Sequence, residues 1–513
     1  MRFERQHDNL GKRAFAGAVL LGIGRIVTRL STLVSLVVLA RLLSPADYGL
    51  VALAFTVVTL VQAVFDTRDG AALIVRQDLD RSHLDTVFTI QLLRGSAIAA
   101  ILFAASPYIA QLLGSTRLDE VLRVLAVMPL LDALRNPGLA IYSRNLDFRR
   151  EVVRDVIAAV VATGLGIAVA VWLRNYWALV TIALATSALQ SIVSYWRVPY
   201  RPRIDTKDWR HFASFGGWLA AERFAAETNT VAPRLMLWIL TTPAALGLFT
   251  IARDLQSIPM NEMLEPVRRT LLPGFSTMKD DLAAMRRAFR KAQAVTGGFV
   301  LPAGAGIAIL AEEIIRTIAG RDWFDAVVVL EILAPAMAFK VAAGPVGSVA
   351  IALGKLGANF WRSLAIALAT YPVLWLTISV GGLPGAAIGM AALALLRVVL
   401  NAFLIRHLLS ESLFGIVANN WRSIIASGAM VLCVAALPGE IGPFTNSFES
   451  ALLLAYKVTI GVVVYFAALF ALWMLSGKPD GFERTFLQYS AHGKDRLFDM
   501  SAALRRSSSG RRN

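Results

Sequence analysis

The chain has 513 residues, 57% of them hydrophobic, with a mean hydropathy of +0.61 and a formal net charge of +16. A soluble domain averages about 45–50% apolar residues, so this composition excludes one; the basic excess then belongs to loops held on the cytoplasmic side, not to a nucleic-acid surface. The single cysteine, Cys433, lies in an apolar run, which excludes an internal disulfide and a thiolate metal site.

A helix needs about 20 apolar residues to cross a bilayer. Fourteen such runs follow one another, at 14–39, 47–67, 86–107, 120–142, 152–173, 176–196, 212–239, 244–266, 293–317, 325–351, 358–380, 384–407, 421–437 and 450–475. The expected fold class is therefore an all-α polytopic membrane protein with about fourteen transmembrane helices. The first run is too long for the apolar core of a cleaved signal and is taken as a retained span.

Charge orients the spans. Arg2, Arg5, Lys12 and Arg13 precede span one, and Arg144, Arg149, Arg150 and Arg154 follow span four. Arg197, Arg201, Arg203 and Lys207 follow span six; Arg268, Arg269, Arg286, Arg287 and Arg290 follow span eight. The tail adds Lys478, Arg484, Lys494, Arg505 and Arg506, whereas the connection at 438–450 on the opposite face has no Lys or Arg. Positive residues concentrate on the cytoplasmic side, so both termini are expected there.

The chain also repeats itself. Residues 39–54 read LARLLSPADYGLVALA and residues 237–252 read LWILTTPAALGLFTIA. Setting Pro45 on Pro243 aligns Leu39 with Leu237, Gly49 with Gly247 and Ala54 with Ala252. Ser44 and Thr242 precede the prolines, where a hydroxyl cap followed by proline starts a helix. A weaker echo sets Gly114 on Gly320 and Pro129 on Pro335. The expected organisation is two six-span lobes, 1–205 and 206–412, related by an axis along the membrane normal. An extra helix pair (413–476) and a basic tail (477–513) that rests on anionic lipid complete it. Such duplication in an apolar chain points to a transporter with its binding site between the lobes.

The segment LARLLSPADYGL, with Asp66 after the second span, resembles the start of polysaccharide-exporting members of the multidrug/oligosaccharidyl-lipid/polysaccharide flippase superfamily. Residues 247–281, GLFTIARDLQSIPMNEMLEPVRRTLLPGFSTMKDD, are similar to their eighth span and the loop after it, and the likeness runs over 11–476. The resemblance implies alternating access across a bacterial inner membrane with a polyprenyl-pyrophosphate-linked oligosaccharide as cargo and a cationic central cavity. It also implies contact with other polysaccharide synthesis and export proteins, no cofactor and no enzymatic step.

Charges inside the spans identify candidate cavity residues, because each costs about 2.5–3.5 kcal/mol at mid-bilayer. Arg25 and Arg29 share one face of span one; Arg94 lies in span three, Arg253 in span eight, Lys340 in span ten and Arg397 in span twelve. Guanidinium groups bind phosphate oxygens in pairs and stay charged, so these six are the expected pyrophosphate ligands. Thr250, Asp254, Ser257 and Asn261 form a polar stripe along span eight, with Asp66 and Glu222 as further cavity-lining groups. Structural pairing across helices stays open for each arginine. Asp132 with Arg135 is expected to be such a pair, and Lys457 is expected to snorkel from its span end. Glu222 or Asp254 would carry a coupling proton, or would only balance a neighbouring arginine. Pro259, Pro266, Pro335 and Pro345 are expected kink points.

Two alternatives remain. A cation-coupled drug exporter of the same superfamily calls for an acidic, aromatic cavity, whereas these spans are more basic than acidic. A membrane polysaccharide polymerase or ligase calls for a large external catalytic loop, and the five histidines (His7, His83, His211, His407 and His492) are scattered at the cytoplasmic side.

Overall fold

The computed structural model describes residues 10–65, 80–145, 147–207, 227–228, 230–438, 447–478 and 481–484. Their regular elements are all helical. They run α1 (Leu10–Leu42), α2 (Pro45–Val64), α3 (Arg81–Leu112), α4 (Thr116–Leu125), α5 (Val127–Ala133), α6 (Leu139–Arg144), α7 (Arg149–Leu173) and α8 (Trp177–Ser194). Then come α9 (Thr230–Leu240), α10 (Pro243–Ser276), α11 (Leu282–Ile309), α12 (Ala311–Ile318), α13 (Ala326–Ala342) and α14 (Val346–Ala352). The series ends with α15 (Leu356–Leu409), α16 (Gly415–Ala435) and α17 (Ser447–Leu475). Among the described residues, nine helical stretches are long and apolar enough to cross a bilayer. This is a multi-pass membrane protein.

The repeated helix starts form as their residues dictate. Ser44 Oγ accepts from Asp47 N–H at 3.3 Å while Asp47 Oδ2 accepts from Ser44 N–H at 3.2 Å, and Pro45 opens the helix. Thr242 Oγ1 accepts from Ala245 N–H at 3.2 Å at the start of α10. Each cap satisfies an orphan N–H and contributes about 1 kcal/mol. Gly114 and Gly320, the glycines of the weaker echo, both have positive φ, at 65° and 94°.

Two expected spans differ from the structure in form. The run 120–142 is not one helix but α4, α5 and α6, interrupted at Ala126 and again at 134–138. Pro137 disfavours helix at the residue before it. The second interruption is tolerated because side chains satisfy it: Ser194 Oγ accepts from Asn136 N–H at 2.9 Å, and Asn136 Nδ2 donates to Tyr200 O at 3.1 Å. The run 325–351 breaks between α13 and α14 at Gly344 (φ 93°) and Pro345. Residues 356–409 form a hairpin of two helical arms broken at Gly382 (φ 55°, ψ −130°), between the expected spans 358–380 and 384–407. Arg362 on one arm bonds Asn401 on the other, twenty and nineteen residues from that glycine.

Two compact units are present. The first comprises Met1–Ile251, Ile318–Ala326 and Ala367–Ala386; the second comprises Ala252–Thr317, Val327–Ile366 and Ala387–Asn513. In the first, α7 packs on α8 and α1, and α3 packs on α5 with Gly95 against the Pro129 carbonyl and the Ala133 methyl. The two aligned glycines meet there. A Cβ on Gly49 would fall on the Pro243 carbonyl oxygen, and a Cβ on Gly247 would fall on the Pro45 carbonyl oxygen. Positions matched by sequence thus touch each other reciprocally, the signature of a local twofold contact. Beside them the fully buried Trp323 donates its indole N–H to Ala40 O at 2.7 Å and meets the Tyr48 ring edge-on, with centroids 5.0 Å apart. In the second unit, α11 packs on α16 and α17, and Gly304 lies against the Ala334 carbonyl and Ala338 methyl. Gly304 and Gly95 make the same kind of close approach, each to a backbone carbonyl and an alanine methyl.

Candidate functional site

Depth and burial sort the predicted ligands. Arg25 and Arg29 lie one turn apart on α1, both half-buried. Arg25 is seventeen residues from the end of its helix at Leu42, about 25 Å along the axis. On α10, Arg253 is ten residues from Pro243, about 15 Å in, or half the thickness of a ~30 Å hydrocarbon core. Arg253, Asp254 and Ser257 are half-buried neighbours on that helix. Asn261 lies one turn further along it. Arg94 is half-buried on α3, and Lys340 is half-buried near the end of α13, its Nζ 3.0 Å from Met337 Sδ. Asp66 and Glu222 lie outside the described residues.

The hydroxyls of the expected stripe are committed within the helix. Thr250 is 8% exposed and donates to Leu246 O at 2.7 Å, and Ser257 Oγ donates to Asp254 O at 3.2 Å. Such i−4 and i−3 bonds satisfy the hydroxyl hydrogen without a ligand.

Two other charges are settled by geometry. Asp132 and Arg135 pair at 2.6 Å, as their spacing predicts. Lys457 does not snorkel to a span end: its Nζ bonds Glu313 Oε1 at 2.7 Å, with the two side chains 8% and 15% exposed. The sequence hid this partner 144 residues away. Breaking one half of a buried pair costs about 3–5 kcal/mol, whereas replacing both halves with apolar groups is often neutral. Lys457→Met is therefore expected to lower the stability of the detergent-solubilised protein by that amount, and Lys457→Met/Glu313→Leu to recover most of it. Equal melting of the single variant and the wild type would refute the pairing.

Lys457 also borders an apolar cavity of about 280 Å³ in the second unit, walled by Phe299, Pro302, Leu310, Met430, Val462 and Phe466. Its lining suits hydrocarbon. Among the described residues, no cluster of His, Cys, Asp or Glu is placed to hold a metal ion.

Sequence reasoning missed Arg362. It stands six residues into α15, half-buried, and its guanidinium bonds Asn401 Oδ1 on the opposite arm and Asn359 Oδ1 at 2.8 Å. Arg397, one turn from Asn401, is half-buried within electrostatic reach of it. The signal available was an arginine inside the expected span 358–380.

Residues 38–328, more than half of the chain, match the model of a family described as polysaccharide biosynthesis protein. The chain belongs to the polysaccharide biosynthesis protein family. Members and relatives agree with that placement. The chain is 23% identical over 465 residues to the teichuronic acid biosynthesis protein TuaB of Bacillus subtilis (strain 168), covering 89% of this chain and 95% of TuaB. It is 25% identical over 342 residues to the succinoglycan biosynthesis transport protein ExoT of Rhizobium meliloti (strain 1021), covering 66% and 69%. The fold is similar to that of the lipid II flippase MurJ in its inward closed conformation, with a TM-score of 0.72 over 89% of this chain and 99% of that one at 13% identity. Of these proteins, ExoT is named as a transport protein and MurJ as a flippase.

Proposed function

We propose that this protein moves a polyprenyl-pyrophosphate-linked oligosaccharide across the bacterial inner membrane, for capsule, O-antigen or exopolysaccharide synthesis. The observation that carries this reading is the placement of half-buried arginines within the spanning lengths of α1 and α10 in a chain of the polysaccharide biosynthesis protein family. A pyrophosphate must leave the headgroup layer to cross, and it needs donors that stay charged in a low dielectric. Arg25, Arg29, Arg94 and Arg253 meet that need, with Lys340 as a point charge. Asp254 tempers the field so that the headgroup can leave again. The apolar cavity of the second unit offers hydrocarbon surroundings to part of the prenyl chain. Two six-span lobes, 1–205 and 206–412, alternate access around the site, and both termini face the cytoplasm.

Reconstitution tests this directly. Proteoliposomes holding the full chain and a labelled polyprenyl-pyrophosphate oligosaccharide are exposed to a membrane-impermeant glycosidase. The protected half of the label is expected to become cleavable in protein-containing vesicles alone. Export of an organic cation dye by the same vesicles, with no cleavage of the protected label, would instead establish the drug-exporter alternative.

A further inference from the structure

The arms of α15 enclose two cations with no anion to answer them. Arg362 is held by Asn359 and Asn401, which are neutral acceptors, and its Nε–H is buried without an acceptor. Arg397 shares a helix face with Asn401. Among the described residues, neither guanidinium has a carboxylate within ion-pair distance. Glu411, just beyond the end of α15, is already engaged by Arg290 at 2.7 Å and Arg286 at 3.7 Å. Two half-buried like charges repel, and an unmet buried N–H adds to the cost. The arrangement is complementary to a bound anion whose oxygens take the free donors.

Position narrows the anion. Arg362 is about 9 Å from the Leu356 end of its arm, and Asn401 about 12 Å from the Leu409 end of the other. That depth is within an arginine's reach of the headgroup layer. Lys355, Arg406 and His407 are exposed at the same end, while Trp361 (67% exposed) and Phe403 (57%) present apolar surface alongside. Basic groups beside lipid-facing aromatics suit an amphiphile with a phosphate head. Guanidinium forks match phosphate oxygens in geometry and charge.

We infer that Arg362 and Arg397, framed by Asn359 and Asn401, form a binding site for the phosphate of an anionic glycerophospholipid. This takes Arg397 out of the cargo-binding set to which the sequence assigned it. The site stands whether or not the cargo is a lipid-linked sugar.

The purified, delipidated full chain in detergent is titrated with phosphatidylglycerol, phosphatidylcholine or sodium pyrophosphate, and read by native mass spectrometry and thermal unfolding. The wild type is expected to retain one phosphatidylglycerol at least tenfold more tightly than phosphatidylcholine and to melt higher when it is bound. Arg362→Gln/Arg397→Gln is expected to lose that preference. Should the double variant fail to fold, the single variant Arg397→Lys, which keeps the charge but not the fork, is expected to bind severalfold more weakly than wild type. Undiminished phosphatidylglycerol preference in the glutamine variant overturns the site, as does equal binding of the two lipids by the wild type. Arginine-dependent stabilisation by pyrophosphate with none from phosphatidylglycerol overturns the lipid as its occupant and assigns the site to a free phosphate anion.

Discussion

Replacing Gly49 or Gly247 with alanine is expected to abolish polysaccharide export and lower thermal stability, although alanine is the better helix former. Propensity alone favours the alanine variants by about 1 kcal/mol per site. Packing opposes it with more. At each glycine the new methyl would occupy the place of a backbone carbonyl, that of Pro243 or Pro45, and each carbonyl belongs to the first turn of a capped helix that cannot swing aside. Overpacking a close-packed interior costs typically 1–3 kcal/mol, occasionally more, and here no flexible side chain can give way. Because the contact is reciprocal, prying α2 from α10 at either glycine separates them at both. It also disturbs the Trp323 bond to Ala40 and the Tyr48 contact next to it. Surface polysaccharide in a complemented deletion strain and unfolding of the purified protein read the two effects. A Gly247→Ala protein that exports normally and melts higher would show that propensity wins and that the contact is loose.

That contact was partly legible in the sequence, because Pro45 with Pro243 and Gly49 with Gly247 are local identities. The pattern LSPADYGL specifies a cap, a helix start and a small residue one turn later, each a short-range instruction. Helix ends marked by such signals lie close to where the sequence places them. The broken spans were harder. A hydropathy pattern does not register that Pro137 ends a helix inside an apolar run, nor that Ser194 and Tyr200, about sixty residues on, satisfy the backbone at that point. The same blindness to distant partners explains Lys457. A lone lysine eight residues into an apolar run looks like a snorkelling cation until Glu313, on the short helix α12, is seen beside it. Arg362 went unnoticed for the opposite reason: so near the start of a span, its charge looks like part of the interface, and only the hairpin at Gly382 brings Arg397 toward it.

Arg25→Ala and Arg253→Ala are each expected to abolish surface polysaccharide while the protein stays inserted at normal abundance. A charge-assisted hydrogen bond is worth about 1.5–3 kcal/mol, and every 1.4 kcal/mol is tenfold in affinity. An arginine making one or two such bonds to a pyrophosphate therefore changes headgroup binding by ten- to a thousandfold or more. A purely structural arginine behaves differently. Removing it strands its carboxylate partner, costs about 3–5 kcal/mol of stability, and lowers abundance along with export. The lysine variants separate the two cases further, because lysine keeps the charge but cannot fork across two oxygens. Retained stability with partial export in Arg25→Lys, against retained stability with none in Arg25→Ala, is the expected signature of an anion grip. Loss of stability in step with export, in lysine and alanine variants alike, would instead assign Arg25 and Arg253 to interhelical pairing. Arginine inside a span would then be a framework element of this fold, and the cargo's phosphates would have to be held by other cations.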